Sequence, residues 1–257
     1  ITTFTERNKR VNSVYGTATL SYANKIFLDV TGRNDWSSTL PSGNNSFFYP
    51  SVSTSFILSD LLRLPEQISF AKLRASWAQV GNDTAPYKTA KYYNTSAFPG
   101  SASVSSTLYN ARFKPEISNS IEVGLDWRMF KQRFGLDLAF YNNITRNQIL
   151  DVPMDQTTGY TKATMNSGKV RNRGIELQLD GTPVKTKNFT WNSTFTWAKN
   201  YNKVLSLAAG LTDGQTIAYT GGTNCALIAK VGGSIGDIYG YKLKRAPDGQ
   251  VVWKDGI

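Results

Sequence analysis

The 257 residues hold 29 Lys and Arg against 18 Asp and Glu, a formal net charge of +11, with no His and one Cys. Those counts exclude an internal disulfide, remove Ser–His and Cys–His catalysis, and take away the commonest transition-metal ligand. No run of about 18 apolar residues occurs, so no transmembrane helix is encoded; the basic residues are scattered, with no basic helix or nucleic-acid module, and no nucleic-acid partner is expected.

Residues 10–22 alternate. Val14, Gly16, Ala18, Leu20 and Tyr22 share one face and Ser13, Tyr15, Thr17, Thr19 and Ser21 the other, a period of two that predicts a strand. Ala23-Asn24-Lys25 is a tight turn. A strand at 26–34 sets Ile26, Leu28 and Val30 opposite Phe27, Asp29, Thr31 and Arg33. Residues 34–45, with Pro41, Gly43 and paired Asn, predict a loop. The strand at 46–58 carries Phe48, Pro50, Val52, Phe56 and Leu58 on one face, with Pro50 expected near a strand end or bulge because it lacks an N–H. Residues 59–66 read as one helical turn with Ser59 as its cap. In the strand at 68–80, Ala71, Leu73, Ala75 and Trp77 oppose Lys72, Arg74, Ser76 and Ala78.

A polar loop at 81–115 leads to a hairpin at 120–141. Ile121, Val123, Leu125 and Trp127 alternate with Glu122, Gly124, Asp126 and Arg128; after Lys131-Gln132-Arg133, Leu136, Leu138 and Phe140 alternate with Asp137, Ala139 and Tyr141. A second loop covers 148–169. Strands at 170–181 and 189–203 flank a tight turn at 184–188, the last with Phe189, Trp191, Phe195 and Trp197 on one face. The Gly-rich tail, 204–257, is expected to be mostly loop, with a hairpin at 226–244. Cys225 beside Ala226 and Leu227 reads as a small buried residue.

Two regularities emerge. There are about eight strands of roughly ten or more residues, where soluble proteins average about five or six and a tilted membrane strand needs about 9–11. Tight and long connections also alternate, which puts every long loop at one end of an antiparallel meander, the layout of an outer-membrane barrel. In a soluble or surface-attached glycan-binding β-sandwich the apolar face would be a core; in a barrel it would meet lipid. Alternation by itself does not choose. Strand length, loop asymmetry and aromatics near the strand ends (Trp127, Phe130, Phe134, Phe189 and Trp191 at one end; Phe47, Phe48 and Tyr49 at the other) favour the all-β, antiparallel transmembrane barrel.

Several phrases resemble the SusC/RagA-type TonB-dependent transporters of the Bacteroidetes outer membrane. They are Leu28-Asp29-Val30-Thr31-Gly32-Arg33-Asn34-Asp35-Trp36-Ser37-Ser38, Phe48-Tyr49-Pro50-Ser51-Val52-Ser53, Lys72-Leu73-Arg74-Ala75-Ser76-Trp77 through Gly81-Asn82, Pro115-Glu116-Ile117 through Glu122-Val123-Gly124, Asn166-Ser167-Gly168 through Asn172-Arg173-Gly174-Ile175-Glu176, and Gly240-Tyr241. The resemblance implies part of a large plugged barrel that takes up an oligosaccharide or peptide with a SusD-like surface lipoprotein as lid and the TonB complex as energy source. Residues 1–257 are then a partial barrel domain lacking the plug, the TonB-contacting segment and the closing strands. No catalytic residue, metal or cofactor is expected.

The candidate ligand residues divide in two. Trp36, Tyr87, Tyr92 and Tyr93, read as loop aromatics, either stack on sugar rings or pack the loops together. Arg33, Lys72, Arg74, Glu122, Asp126, Arg128, Glu176 and Asp180, read as lumenal charges, either line the path and meet the plug or pair with one another across strands. A secreted hydrolase has little support, since the acidic residues form no close pair at helical spacing, and Gly232-Gly233-Ser234-Ile235-Gly236 lacks the Lys of a phosphate loop.

Overall fold

The computed structural model of the chain describes residues 6–95, 100–208, 214–219 and 225–252. The chain runs through β1 (Val11–Tyr22), β2 (Ile26–Ser37), β3 (Ser46–Ile57), the helical turn α1 (Leu58–Leu61) and β4 (Ile68–Asn82). Three short strands follow, β5 (Tyr93–Thr95), β6 (Ala102–Val104) and β7 (Thr107–Leu108), and then β8 (Glu116–Met129) and β9 (Phe134–Arg146). β10 (Ile149–Pro153) and β11 (Lys162–Asn166) precede β12 (Lys169–Lys185) and β13 (Thr190–Ser206), and β14 (Gln215–Tyr219), β15 (Cys225–Ala229) and β16 (Ile238–Gly240) come last.

The eight long strands form one antiparallel sheet in the order β1-β2-β3-β4-β8-β9-β12-β13, a meander open at β1 and β13. Twelve residues, the shortest of these strands, rise about 40 Å at about 3.3 Å each; tilted by about 40°, they still climb about 30 Å, more than the roughly 25 Å apolar band of an outer-membrane barrel. Register keeps each face uniform. One row crosses all eight strands as Tyr22, Ile26, Phe56, Leu73, Leu125, Leu138, Leu177 and Trp197. A row of the other face reads Thr19, Asp29, Ser53, Ser76, Glu122, Tyr141, Gly174 and Asn200.

The apolar face is uncovered. Leu20 is 63% exposed, Ile121 50%, Phe140 46% and Phe195 56%, and among the described residues no second layer packs across the middle of the sheet. A sandwich would bury this face against another sheet. A membrane barrel leaves it to lipid, with every backbone group satisfied by the neighbouring strand. The sandwich is therefore set aside.

The tight connections gather at one end. Ala23 and Asn24 have φ of 50° and 56°, the Lys25 N–H donates to the Tyr22 carbonyl at 2.9 Å, and positive φ at both central positions suits the twist of a two-residue hairpin. At the next tight turn Phe130, Lys131 and Gln132 all have positive φ, and the turn is tied back by Phe130 N–H to the Gln67 carbonyl at 2.7 Å. Packing is concentrated at the opposite end: Leu40, Phe47 and Phe113 form one buried cluster with Tyr49 and Ile149 against it, and Val170, Val204 and Ala229 a second.

Several local expectations change. Residues 34–37 are strand rather than loop, because Asn34, Asp35 and Trp36 pair with Phe48, Phe47 and Ser46. Pro50 sits where the β3 ladder to β4 stops: that ladder begins at Ser51, so the missing N–H leaves no gap. Ser59 does not cap α1; the residue ahead of the helix is Ile57, with no side-chain cap. β12 runs on to Lys185 past an irregularity between Gly181 and Val184. The loop at 81–115 contains β5, β6 and β7, and the tail hairpin is β15 paired with β16, with β14 on its other side. Residues 209–213, 220–224 and 253–257 of the tail lie outside the described residues.

Candidate functional site

All the expected site residues but Trp36 fall in two regions: the inward polar face, and the loop body at the long-loop end. On the inward face one device recurs three times. Arg74 in β4 lies opposite Gly124 in β8 and passes over it to Asp137 in β9, with Nη2 to Oδ1 at 2.8 Å and Nη1 to Oδ2 at 3.4 Å. Arg128 in β8 lies opposite Gly135 in β9 and reaches Asp180 in β12 through Nη1 at 3.3 Å, while its Nε donates to Asp126 at 2.8 Å. Tyr141 in β9 lies opposite Gly174 in β12, and its hydroxyl donates to Asn200 Oδ1 in β13 at 3.2 Å.

Each latch thus spans three strands across a glycine. The missing side chain is required: a Cβ on Gly124 would sit 2.3 Å from Arg74 Nε, and one on Gly135 would sit 2.2 Å from Arg128 Nη1. Asp180 also accepts from Thr194 at 2.9 Å and from Gln178, so the second latch extends into β13.

Among the expected charges, Arg74, Glu122, Asp126 and Arg128 therefore come together with Asp137 and Asp180. Glu122 lies at the margin, 4.0 Å from Arg74 Nε. Arg33 is in a separate group near the long-loop end, with Nε 2.8 Å from Asp35 Oδ1 and Nη2 donating to Ser13 at 3.0 Å. The Tyr49 hydroxyl also donates to Asp35. Phe47 and Tyr49 point inward and only Phe48 outward, which corrects the expectation of an aromatic girdle from all three; period-two parity already separates 48 from its neighbours.

Lys72 is directly opposite Asp126, yet neither Lys72 nor Glu176 makes a side-chain ion pair or hydrogen bond among the described residues. Lys72 lines a cleft of about 300 Å³ with Asp29, Ser53, Ser55, Arg74 and Glu122. Glu176 lines one of about 430 Å³ with Arg74, Glu122, Asp137, Gln178 and Thr196. Trp36 is not a loop residue. Its place in β2, between inward Asp35 and inward Ser37, turns it outward, and it is exposed at the long-loop end of the apolar face.

The loop body joins the connections 83–115 and 147–168. β7 and β11 pair in parallel, and Asn166 bridges the two, accepting from the Lys114 N–H at 2.9 Å and donating to the Lys114 and Asn147 carbonyls at 2.8 Å. Asp151 takes Lys162 Nζ at 2.7 Å and Thr164 Oγ1 at 2.6 Å. Burial pushes the Asp151 carboxyl up, but these hydrogen bonds and the charges of Lys88 and Lys162 outweigh it and hold it below the usual carboxylate range.

Tyr87 and Tyr92 open onto one cleft of about 640 Å³ with Arg7, Glu6, Lys88 and Tyr109. Tyr109, absent from the expected set, stacks on Tyr92 with centroids 5.4 Å apart, and the two hydroxyls are 3.0 Å apart. The Tyr87 hydroxyl accepts from the Asn8 N–H at 3.2 Å. Tyr93 is on β5, opposite Val104, and does not line that cleft. Among the described residues no group of three His, Cys, Asp or Glu is placed to hold a metal. The chemistry on offer is that of hydroxyls, carboxylates, guanidinium groups and aromatic faces arranged along a wall and in a cleft.

Residues 1–254 match the protein-family model described as "TonB dependent receptor-like, beta-barrel". The chain is 33% identical over 207 residues to TonB-dependent receptor P26 of Formosa agariphila, covering 77% of this chain and 21% of that protein. It is 26% identical over 229 residues to TonB-dependent receptor SusC of Bacteroides thetaiotaomicron, covering 81% of this chain and 22% of that protein. The chain thus spans less than a quarter of the length of these two relatives. Among solved structures, the RagAB peptide transporter superposes with a TM-score of 0.78 at 23% identity, over 88% of this chain and 25% of that one. The RagAB peptide importer in its closed-closed state gives 0.80 at 20% identity, over 96% and 29%. These two likenesses are of fold.

Proposed function

This chain belongs to the TonB-dependent receptor-like β-barrel family, a family of the outer membrane, and we propose that it walls an importer for an oligosaccharide or peptide. In this reading the tight turns lie at the periplasmic end and the loop body stands outside the cell. A SusD-like surface lipoprotein closes over that body, and the TonB complex, acting through segments other than these residues, drives release into the periplasm. The wall catalyses no bond chemistry.

The observation that carries the proposal is the division of one sheet into an uncovered apolar face and an inward face of hydroxyls and charges, with a tyrosine-lined cleft at the long-loop end. A nutrient descending such a wall exchanges hydrogen bonds with Ser, Thr, Asn and the unpaired Lys72 and Glu176, while Tyr87, Tyr92 and Tyr109 offer stacking surfaces at the mouth. Two solved structures that share this fold, a peptide transporter and a peptide importer, support the peptide class.

The test is uptake of labelled oligosaccharides and peptides by cells expressing the intact protein, with and without its lipoprotein partner and with TonB removed. Uptake that needs both is expected. Uptake indifferent to TonB would overturn the energy coupling, and uptake indifferent to the lipoprotein would overturn the lid.

A further inference from the structure

Every Asp and Glu of the eight long strands has inward parity, and so do Arg33, Lys72, Arg74 and Arg128. Six cations break this pattern. Arg146 on β9, Lys169, Arg171 and Arg173 on β12, and Lys199 and Lys203 on β13 share the parity of Phe140, Ile175 and Trp197, so they lie on the outward face, at its long-loop end. None makes a side-chain ion pair or hydrogen bond among the described residues. Lys169 is directly opposite Arg146 and Arg171 directly opposite Lys203. Like charges in facing positions destabilise a sheet, and no acid of this face is available to relieve them. Arg171 Nε is moreover buried without a partner, a group that costs free energy unless an acceptor reaches it.

The patch begins where the apolar face ends. A groove of about 590 Å³ runs there between Phe140, Ile175, Trp197 and Tyr201, with Arg173 and Lys199 at its rim, and Lys199 Nζ stands 5.1 Å over the Tyr201 ring. Aromatic residues and long basic side chains mark the level of lipid head groups. We propose that this patch binds a phosphate-bearing glycolipid of the outer leaflet, its phosphates between the six cations and an acyl chain in the groove below. A phosphate supplies acceptors for several cations at once. A soluble anion would use the cations and leave the groove empty, whereas an amphipathic lipid uses both. The proposal rests on this face lying in the membrane, and is independent of what the importer carries.

The experiment uses the intact protein in mild detergent, with native mass spectrometry and thermal unfolding as readouts. The probes are a bis-phosphorylated glycolipid, its dephosphorylated form, and inorganic phosphate. The phosphorylated lipid should be retained and should raise the unfolding temperature. Arg173→Gln with Lys203→Gln should weaken its binding by about fivefold for each cation removed, Arg173→Lys should preserve it, and Lys72→Gln on the inward face should leave it unchanged. Equal binding of the dephosphorylated lipid, or equal stabilisation by inorganic phosphate, would overturn the proposal. So would an altered oligomeric state of the double variant with lipid binding intact, which would make the patch an interface between copies. Loss of lipid binding with nutrient uptake intact is expected and leaves the import reading standing; a protein that stays monodisperse without detergent would instead remove the membrane reading on which this proposal depends.

Discussion

Replacing Gly124 by Ala isolates what a three-strand latch contributes. The new Cβ would fall 2.3 Å from Arg74 Nε, 2.6 Å from Cζ and 2.9 Å from Cγ. Because the stem is involved as well as the tip, the guanidinium must leave Asp137. The pair is neither exposed nor buried, with side-chain exposures of 35% and 32%. Fully exposed pairs contribute about 0.2–1 kcal/mol, whereas breaking a buried pair costs about 3–5 kcal/mol. A value of about 1–2 kcal/mol lies between these limits. Against it stands the gain from removing a glycine from a regular element, about 0.5–1 kcal/mol.

Gly124→Ala should therefore be close to neutral or mildly destabilising, whereas Gly16→Ala, where a Cβ meets nothing within 4 Å, should be stabilising. The difference between the two, about 1–2 kcal/mol, is read from urea unfolding of the protein refolded into lipid. Asp137→Asn provides the cycle: in that background the charged latch is already gone, so Gly124→Ala should lose most of its cost. An equal cost of Gly124→Ala in both backgrounds would refute the latch.

Gly135→Ala should cost less than Gly124→Ala, because its closest contact is the mobile Arg128 tip, and Gly174→Ala more, because a Cβ there would also lie 2.6 Å from the Lys199 carbonyl; the same unfolding series ranks them. Val123→Lys or Leu138→Lys should cost about 2–4 kcal/mol if near the bilayer midplane, while Ser76→Lys on the inward face is tolerated, as judged by the folded fraction on a heat-modifiability gel. Asp151 titrates below the ordinary carboxylate range, so its contribution to the loop body is fully present above about pH 4 and is lost as pH falls through its lowered folded value. Limited proteolysis of the loops between pH 5 and 2 should show this loss, and Asp151→Asn should flatten it. Tyr92→Ala and Tyr109→Ala should each raise the half-saturating ligand concentration for uptake several-fold; unchanged uptake would return these tyrosines to loop packing.

Strand parity was legible because each face meets a different medium along its whole length. Leu125 and Leu138 could be paired from alternation and a short link alone, and the loop asymmetry needed only the spacing of turn residues. The latches were not legible. Arg74 and Asp137 are 63 residues and two strands apart, and period two fixes a side chain's face without saying that it reaches past its neighbour. The one sequence signal was a small residue, Gly124, Gly135 or Gly174, at a position that register sets opposite a long polar side chain. Trp36 was misplaced because Asn34 and the turn formers after it resemble a loop, yet pairing with β3 carries β2 to Ser37; ladder formation overrode local propensity. Tyr109 left no trace at all, since irregular loops have no period from which a neighbour can be inferred.

The same division explains why polar latches hold this wall. A soluble sheet is stiffened by a second layer packed on its apolar face. Here the second layer is fluid lipid, which fills space but fixes no register. Specificity of alignment must come from the other face, and a slip of one residue would send every inward charge toward the bilayer. Hydroxyl contacts such as Thr17 with Thr31 join neighbouring strands only. A guanidinium crossing a glycine joins strands that do not touch, so Arg74 and Arg128 together fix the registers of β4, β8, β9 and β12 against one another. Lys72 and Glu176 stand on the same wall outside that bracing. Among the described residues their charges have no ion pair or hydrogen bond to break, so under the import reading proposed above a passing ligand engages them without loosening the wall.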